Sequence, residues 1–364
     1  MKIRYFWLLV FCLLAVLDGI PAGQAQSIAH REPAVARQVE NYTQIDRHAL
    51  DAPKPAERSI AGLAAYLIQP ARGDREKARA IFRWITAHIA YDDVAALTGR
   101  RRPSDPNSVL QGRTAVCTGY AGLFASLARA AGLEAVVLSG YGRGAGYVAG
   151  AAYPHARFTR RSGASTGVLA NHAWNAVKID GRWQLLDCTW GAGGAFAGTG
   201  IFTRRFEPFF FLTPPDQFLY THLPSDPKWQ LLDPPVSTAH HERLPYLRAA
   251  FFTNGLTLDS HRETIISCGS RVAITFGAPE GTDLITELTQ AGRTVGPHIE
   301  SERGGNGRCA LFVDLPRPGD YILHIFAGNA QSGGLYDWAM DYRIEARPAE
   351  INSAKAPKNL RDGS

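Results

Sequence analysis

Apolar positions change their period along the chain, and the changes mark elements. Between residues 74 and 89, Ala78, Ile81, Phe82, Ile85 and Ile89 recur at helical spacing behind Asp74, a residue type that caps helices. A second helical stripe, Phe124, Leu127, Ala128 and Ala131, starts near Cys117 and stops at Gly132. Residues 134–141 read as a strand. Residues 171–179 and 182–187 are strand-like runs joined by Asp180-Gly181, the dipeptide favoured by two-residue type I′ hairpins. Past Pro234 come short alternating runs at 263–268, 271–276, 310–314, 321–326 and 335–344, with turn residues between them. Five or more such strands predict a small β-sandwich. The whole reads as α+β: helices on an antiparallel sheet, followed by the sandwich.

The hairpin fixes a register. If Ile179 pairs with Arg182, then Lys178 faces Trp183, Ala176 faces Leu185, Trp174 faces Asp187 and His172 faces Thr189. His172 and Asp187 become diagonal neighbours on one face, roughly 7–8 Å apart, a gap that an imidazole and a carboxylate close. A one-residue slip would separate them. Cys117, at the start of its helix, lies where unpaired N–H groups and the helix dipole stabilise a thiolate. The set Cys117, His172 and Asp187 thus supplies a nucleophile, a base and a residue to orient the base.

Several stretches together carry a family resemblance: residues 78–92, 113–124 (Arg-Thr-Ala-Val-Cys-Thr-Gly-Tyr-Ala-Gly-Leu-Phe), 171–180, 183–193, 210–214 and 222–231. Across about residues 41–235 the chain resembles the transglutaminase-like cysteine protein superfamily, in particular its kyphoscoliosis peptidase-like branch. The resemblance implies a papain-like core with Cys117, His172 and Asp187 as catalytic residues. It leaves the reaction open among amide hydrolysis, acyl transfer to an amine, and loss of activity. Papain-like sites also use a glutamine about six residues before the nucleophile as oxyanion donor, which points to Gln111. Trp174 and Trp190 flank the hairpin and are candidate walls of the cleft.

Composition narrows the remaining choices. A chain of 364 residues, 45% hydrophobic, can bury a substantial core in two domains. Residues 1–25 form a basic start, an apolar run from Phe6 to Leu17 and small residues at Gly23-Gln24-Ala25, the pattern of a cleaved export signal; the run is too short to span a bilayer. Export places the protein in the periplasm or outside the cell. Removing Lys2, Arg4 and Asp18 with that segment takes the formal charge from +6 to +5. Arginines cluster in short loop runs without interleaved aromatics, which argues against a nucleic-acid surface. There is no Cys-x-x-Cys, no His-Glu-x-x-His and no calcium loop, so no metal or other cofactor is expected. Cys188 reads as a buried thiol facing away from Asp187, and Cys268 and Cys309 as a pair that an oxidising compartment would join.

The organisation expected is a signal at 1–25, an N-terminal arm at 26–58, a catalytic domain at 59–235, an immunoglobulin-like β-sandwich at 236–346 and a disordered tail at 347–364. Residues 97–113 read as a basic loop leading to Cys117. Residues 140–170, rich in glycine and small residues, read as a lid or as a loose insertion. The functional expectation is an exported thiol enzyme acting on a protein or peptide substrate, including those of the cell envelope, with hydrolysis preferred to transfer. The alternative is a catalytically silent binding or scaffolding protein on the same fold.

Overall fold

The computed structural model describes residues 41–348, apart from 101, 145, 155–167, 196–200, 297 and 330–334. The expected signal, the beginning of the arm, residues 145 and 155–167 of the glycine-rich insertion and nearly all of the tail lie outside the described residues. Within them no helix is long and apolar enough to cross a membrane.

The first core is built by helices α1 (Thr43–Leu50), α2 (Ile60–Leu67), α3 (Asp74–His88), α4 (Asp93–Thr98), α5 (Pro106–Gly112) and α6 (Cys117–Ala130). The residues at helical spacing on α3 are all buried, as are Phe124, Leu127, Ala128 and Ala131 at the end of α6. Gly132 follows α6 with φ +80°, the left-handed turn that ends it. Within the expected arm the chain forms helix α1, tied to α3 by a two-pronged contact of Arg79 with Asp46 at 2.7 Å. Two expectations need correction. Asp74 is the first helical residue of α3, and Gly73 occupies the cap position. The segment 97–113 holds the end of α4 and all of α5; Asp105 caps α5 through the Ser108 N–H, with Pro106 at the first helical position.

Two short parallel strands, β1 (Ala90–Tyr91) and β2 (Thr114–Ala115), run alongside each other just before Cys117. The main sheet has the order β5-β4-β3-β8, antiparallel throughout, from β3 (Ala135–Gly142), β4 (His172–Ile179), β5 (Arg182–Leu186) and β8 (His222–Pro224). Between β5 and β8 come α7 (Cys188–Ala192), the small β6 (Gly193–Ala195) and β7 (Phe202–Arg204) pair, and α8 (Pro215–Phe218). Positive φ at Asp180 (48°) and Gly181 (78°) gives the β4–β5 turn its type I′ shape. The observed register from Ile179–Arg182 to Ala176–Leu185 is the one the turn dictates.

A linker containing α9 (Thr238–Arg243), β9 (Tyr246–Leu247) and α10 (Ala249–Thr253) leads to a second, separate hydrophobic core. It lies between two sheets. One is β10 (Thr257–Leu258), β12 (Arg271–Gly277), β16 (Arg308–Asp314) and β15 (Ile299–Arg303); the other is β11 (Ile265–Cys268), β18 (Tyr336–Ala346), β17 (Gly319–Asn329), β13 (Thr282–Gln290) and β14 (Arg293–Thr294), with β9 added at β18. The strands expected from alternation are β11, β12, β16, β17 and β18. Cys268 and Cys309 sit in different sheets and both are free, as are Cys117 and Cys188, so the expected cystine is not formed.

Candidate active site

Four elements converge on Cys117. It is the first residue of α6, preceded by Val116, whose side chain offers no cap, so the first-turn N–H groups and the dipole act on the sulfur. The helix is held from both ends of its first two turns: the Tyr120 hydroxyl donates to the Ile89 carbonyl at 2.7 Å, and the buried Asn175 amide of β4 donates to the Ala121 and Val136 carbonyls. These bonds fix α6 against the sheet strand that begins at His172.

The His172 side chain is 8% exposed. Its Nε2 lies 2.6 Å from Asp187 Oδ2, and the ring also makes a hydrogen bond to Cys117; with Nε2 engaged, that bond falls to Nδ1. Beside it, the Asn171 side chain pairs with the Gly142 backbone, accepting at 2.7 Å and donating at 3.1 Å, which fixes the start of β4 against β3. A Cβ at Gly142 would lie 3.0 Å from His172 Cβ, so the absence of a side chain there lets the ring settle.

Asp187 ends the hairpin but does not continue β5: it caps α7, Oδ1 accepting from the Thr189 and Trp190 N–H groups at 2.7 and 3.1 Å. Oδ2 accepts from His172 and, at 3.1 Å, from His222 Nε2. The carboxylate is fully buried and receives four donors, one for each lone pair it can offer. Cap and partner of the base are therefore the same residue, served by different oxygens.

The electrostatics follow from this geometry. Burial alone would raise the Cys117 thiol, but the hydrogen bond and positive charge of His172 and the Ala173 N–H outweigh it and hold the thiol below its ordinary value. Burial likewise opposes the His172 imidazolium; Asp187 and the Cys117 thiolate overcome this and push it up to about 10. Asp187, despite complete burial, is held well below the usual carboxylate range by His172 and then His222. Cys188, the first residue of α7 rather than a strand residue, is buried and pushed up, an inert thiol.

Two expected site residues take other places. Gln111 is exposed on α5 and its amide nitrogen donates to the Arg58 carbonyl at 3.2 Å; among the described residues no hydrogen bond joins it to Cys117. Trp174, 1% exposed, is no cleft wall: it lies among Phe218, His172 and His222 in the core. Trp190 is half-buried, its ring stacked 5.1 Å from His172.

His222 carried no assignment from sequence. Its only signal was its position in a resembling stretch, because β8 reaches Asp187 from 35 residues away by pairing with β3. Among the described residues His172, Asp187 and His222 are the one group whose ligand-type atoms gather, within 4.8 Å. Both imidazole nitrogens stand at hydrogen-bond distance from Oδ2, so proton sharing accounts for the cluster.

Comparison with known proteins agrees with the fold. Kyphoscoliosis peptidase of Mus musculus is 34% identical over 301 residues, 82% of this chain and 42% of that protein. Hillarin of Drosophila melanogaster is 31% identical over 316 residues, 79% of this chain and 36% of that one. The chain thus spans less than half the length of these relatives. The crystal structure of a TGase is 20% identical, covering 45% of this chain and 39% of its own, with a TM-score of 0.26. Family models match in succession: residues 239–357 match that of a KY-like, immunoglobulin-like domain, and residues 61–188 match that of the transglutaminase-like superfamily, to which this part of the chain belongs.

Proposed function

We propose that the chain is a thiol enzyme that opens amide bonds of protein or peptide substrates through an acyl-enzyme on Cys117, with water as the preferred acceptor. The observation that carries this reading is the unbroken hydrogen-bonded line from a helix-tip thiol to His172 to a buried, ionised Asp187. The Cys117 thiolate adds to the carbonyl carbon, and the oxyanion takes hydrogen bonds from N–H groups of the uncapped first turn of α6. As the tetrahedral species collapses, the C–N bond breaks and the His172 imidazolium gives its proton to the departing nitrogen. Neutral His172 then takes a proton from water, whose oxygen attacks the thioester; collapse releases the acid and restores the thiolate–imidazolium pair.

The relatives' names point to both outcomes, since one is a peptidase and the Caenorhabditis elegans relative is a Lim and transglutaminase domain protein. We place the acceptor choice with water, since nothing in the sequence marks an amine-acceptor site, and the location outside the cytoplasm, on the export-type segment at residues 1–25. Mass spectrometry of a glutamine-containing peptide incubated with the protein, with and without a primary amine, tests this. Acid or cleaved peptide, absent with Cys117→Ala, is expected; amine-bearing product in large excess would assign transfer. Alkylation of Cys117 no faster than that of an unfolded peptide would leave the silent scaffold as the function.

A further inference from the structure

His222 is a fully enclosed polar group beside the site. Its side chain is 0% exposed. The ring stacks on Phe218 at 3.9 Å and 15°, and touches Trp190 at 4.4 Å and Trp174 at 5.0 Å. Nε2 faces Asp187 Oδ2 at 3.1 Å, and Nδ1 lies 2.8 Å from the Thr221 hydroxyl. An ionised carboxylate only accepts, so the His222 proton sits on Nε2. Nδ1 is then a lone pair, and Thr221 donates to it rather than to the Phe218 carbonyl at 3.3 Å. The segment carrying both residues is itself pinned: the Arg143 N–H donates to the Thr221 carbonyl at 2.9 Å, and the buried Arg143 guanidinium bridges the Tyr220 carbonyl to the carbonyls of His241, Leu244 and Pro245 in the linker. The titratable groups acting on the ring are Asp187 and His172, with His241 behind it on the linker side.

We propose that His222 is a positioning residue of this site: by donating to the oxygen that also holds His172, it sets how tightly Asp187 keeps the His172 proton. A carboxylate oxygen shared by two donors is a weaker base toward each. With His222 in place, the His172 imidazolium is stabilised enough to keep a thiolate beside it, yet can release its proton to a leaving group and later accept one from water. Without it, Asp187 pulls harder on the same proton. The thiolate would then persist to lower pH, while the base needed to hydrolyse the thioester would be harder to generate.

This rests on the thiol-enzyme reading and is tested by the pH profile of iodoacetamide alkylation at Cys117, followed by mass spectrometry of the intact, folded protein. His222→Leu removes the donor, and the freed Thr221 hydroxyl can turn to the Phe218 carbonyl, so no donor is stranded. Its alkylation midpoint is expected to move down by about one pH unit, giving up to about tenfold faster labelling on the acid side. His222→Gln keeps an N–H near the Nε2 position and should restore the wild-type profile. Damaged packing that opens the site would raise labelling at every pH, whereas the proposal requires the midpoint itself to move down. Labelling of His222→Leu equal to or slower than wild type, or His222→Gln shifted as far as His222→Leu, overturns the proposal. If His222→Leu does not fold, His222→Phe, which keeps a ring against Phe218 but has no donor for Asp187, is read by the same rule: faster acid-side labelling supports the proposal and an unmoved midpoint overturns it. An ordinary, unactivated Cys117 in the wild type would instead remove the thiol-enzyme reading itself.

Discussion

Replacing Asp187 by asparagine keeps the side-chain shape, removes its charge, and forces a choice of orientation that the surrounding donors decide. Oδ1 accepts from the Thr189 and Trp190 N–H groups, and backbone donors cannot reverse their role, so the amide oxygen must stay there. The NH2 group then faces Nε2 of both His172 and His222, each of which donates in the native site. To accept from the amide, His172 must carry its proton on Nδ1, against the Cys117 sulfur. The lone pair that takes the thiol proton is gone, and so is the negative charge that stabilised the imidazolium. A charge-assisted hydrogen bond contributes about 1.5–3 kcal/mol, and the one to His172 bears directly on the ion pair. That equals roughly one to two pH units, so below both midpoints Asp187→Asn should label about 10- to 100-fold more slowly with iodoacetamide. The assay is alkylation of Cys117 across pH, with circular dichroism to confirm a folded chain. A rate within twofold of wild type across the acid range would refute the claim that Asp187 sustains the thiolate.

Two buried imidazoles should put opposite slopes on stability. His172, held up at about 10, keeps its proton folded while the unfolded chain releases it near 6.5; its stabilisation is complete below about pH 6.5 and is lost as pH rises toward 10. His222, pushed down to about 4 by burial against the pull of Asp187, stays neutral while the unfolded chain takes up a proton, so stability falls as pH drops from about 6.5 to 4. Thermal scans should show a shallower alkaline slope in His172→Gln and a shallower acid slope in His222→Gln; unchanged slopes would contradict both assignments. At Gly140 an added Cβ would lie 2.2 Å from the Leu223 carbonyl oxygen and 2.8 Å from Pro224 Cα, backbone atoms of β8 that cannot step aside. Gly140→Ala should therefore destabilise the protein by about 1–3 kcal/mol, read as a lower denaturation midpoint, and an unmoved midpoint would show that β3 and β8 can separate freely. Thiol titration in denaturant without reductant should find Cys117, Cys188, Cys268 and Cys309 all reactive; a count two short would reveal a Cys268–Cys309 cystine.

The sequence by itself determined what short-range rules govern. The Asp180-Gly181 turn chooses its hairpin register as far as Asn175–Leu186; the expected pairs of Trp174 with Asp187 and His172 with Thr189 do not form, and Asp187, just past the end of β5 as the cap of α7, still meets His172. Helical spacing of apolar residues placed α3 and the core-facing side of α6, with Cys117 at its tip. Even α5, read as a loop, was written in Asp105-Pro106, a cap followed by a first-turn proline. Only the tertiary structure decided which donors complete the site. His222 comes to Asp187 through β8 pairing with β3, and that pairing depends on a close backbone approach at Gly140 and a buried Arg143 clip reaching the linker, contacts between segments far apart in sequence. Gln111 and Trp174 had suitable spacing, but spacing counts residues and not direction: one side chain turned to the Arg58 carbonyl and the other into the core. Local sequence restricts a few dihedral angles at a time, whereas hydrogen-bond partners across a folded core are fixed by the simultaneous packing of every segment around them.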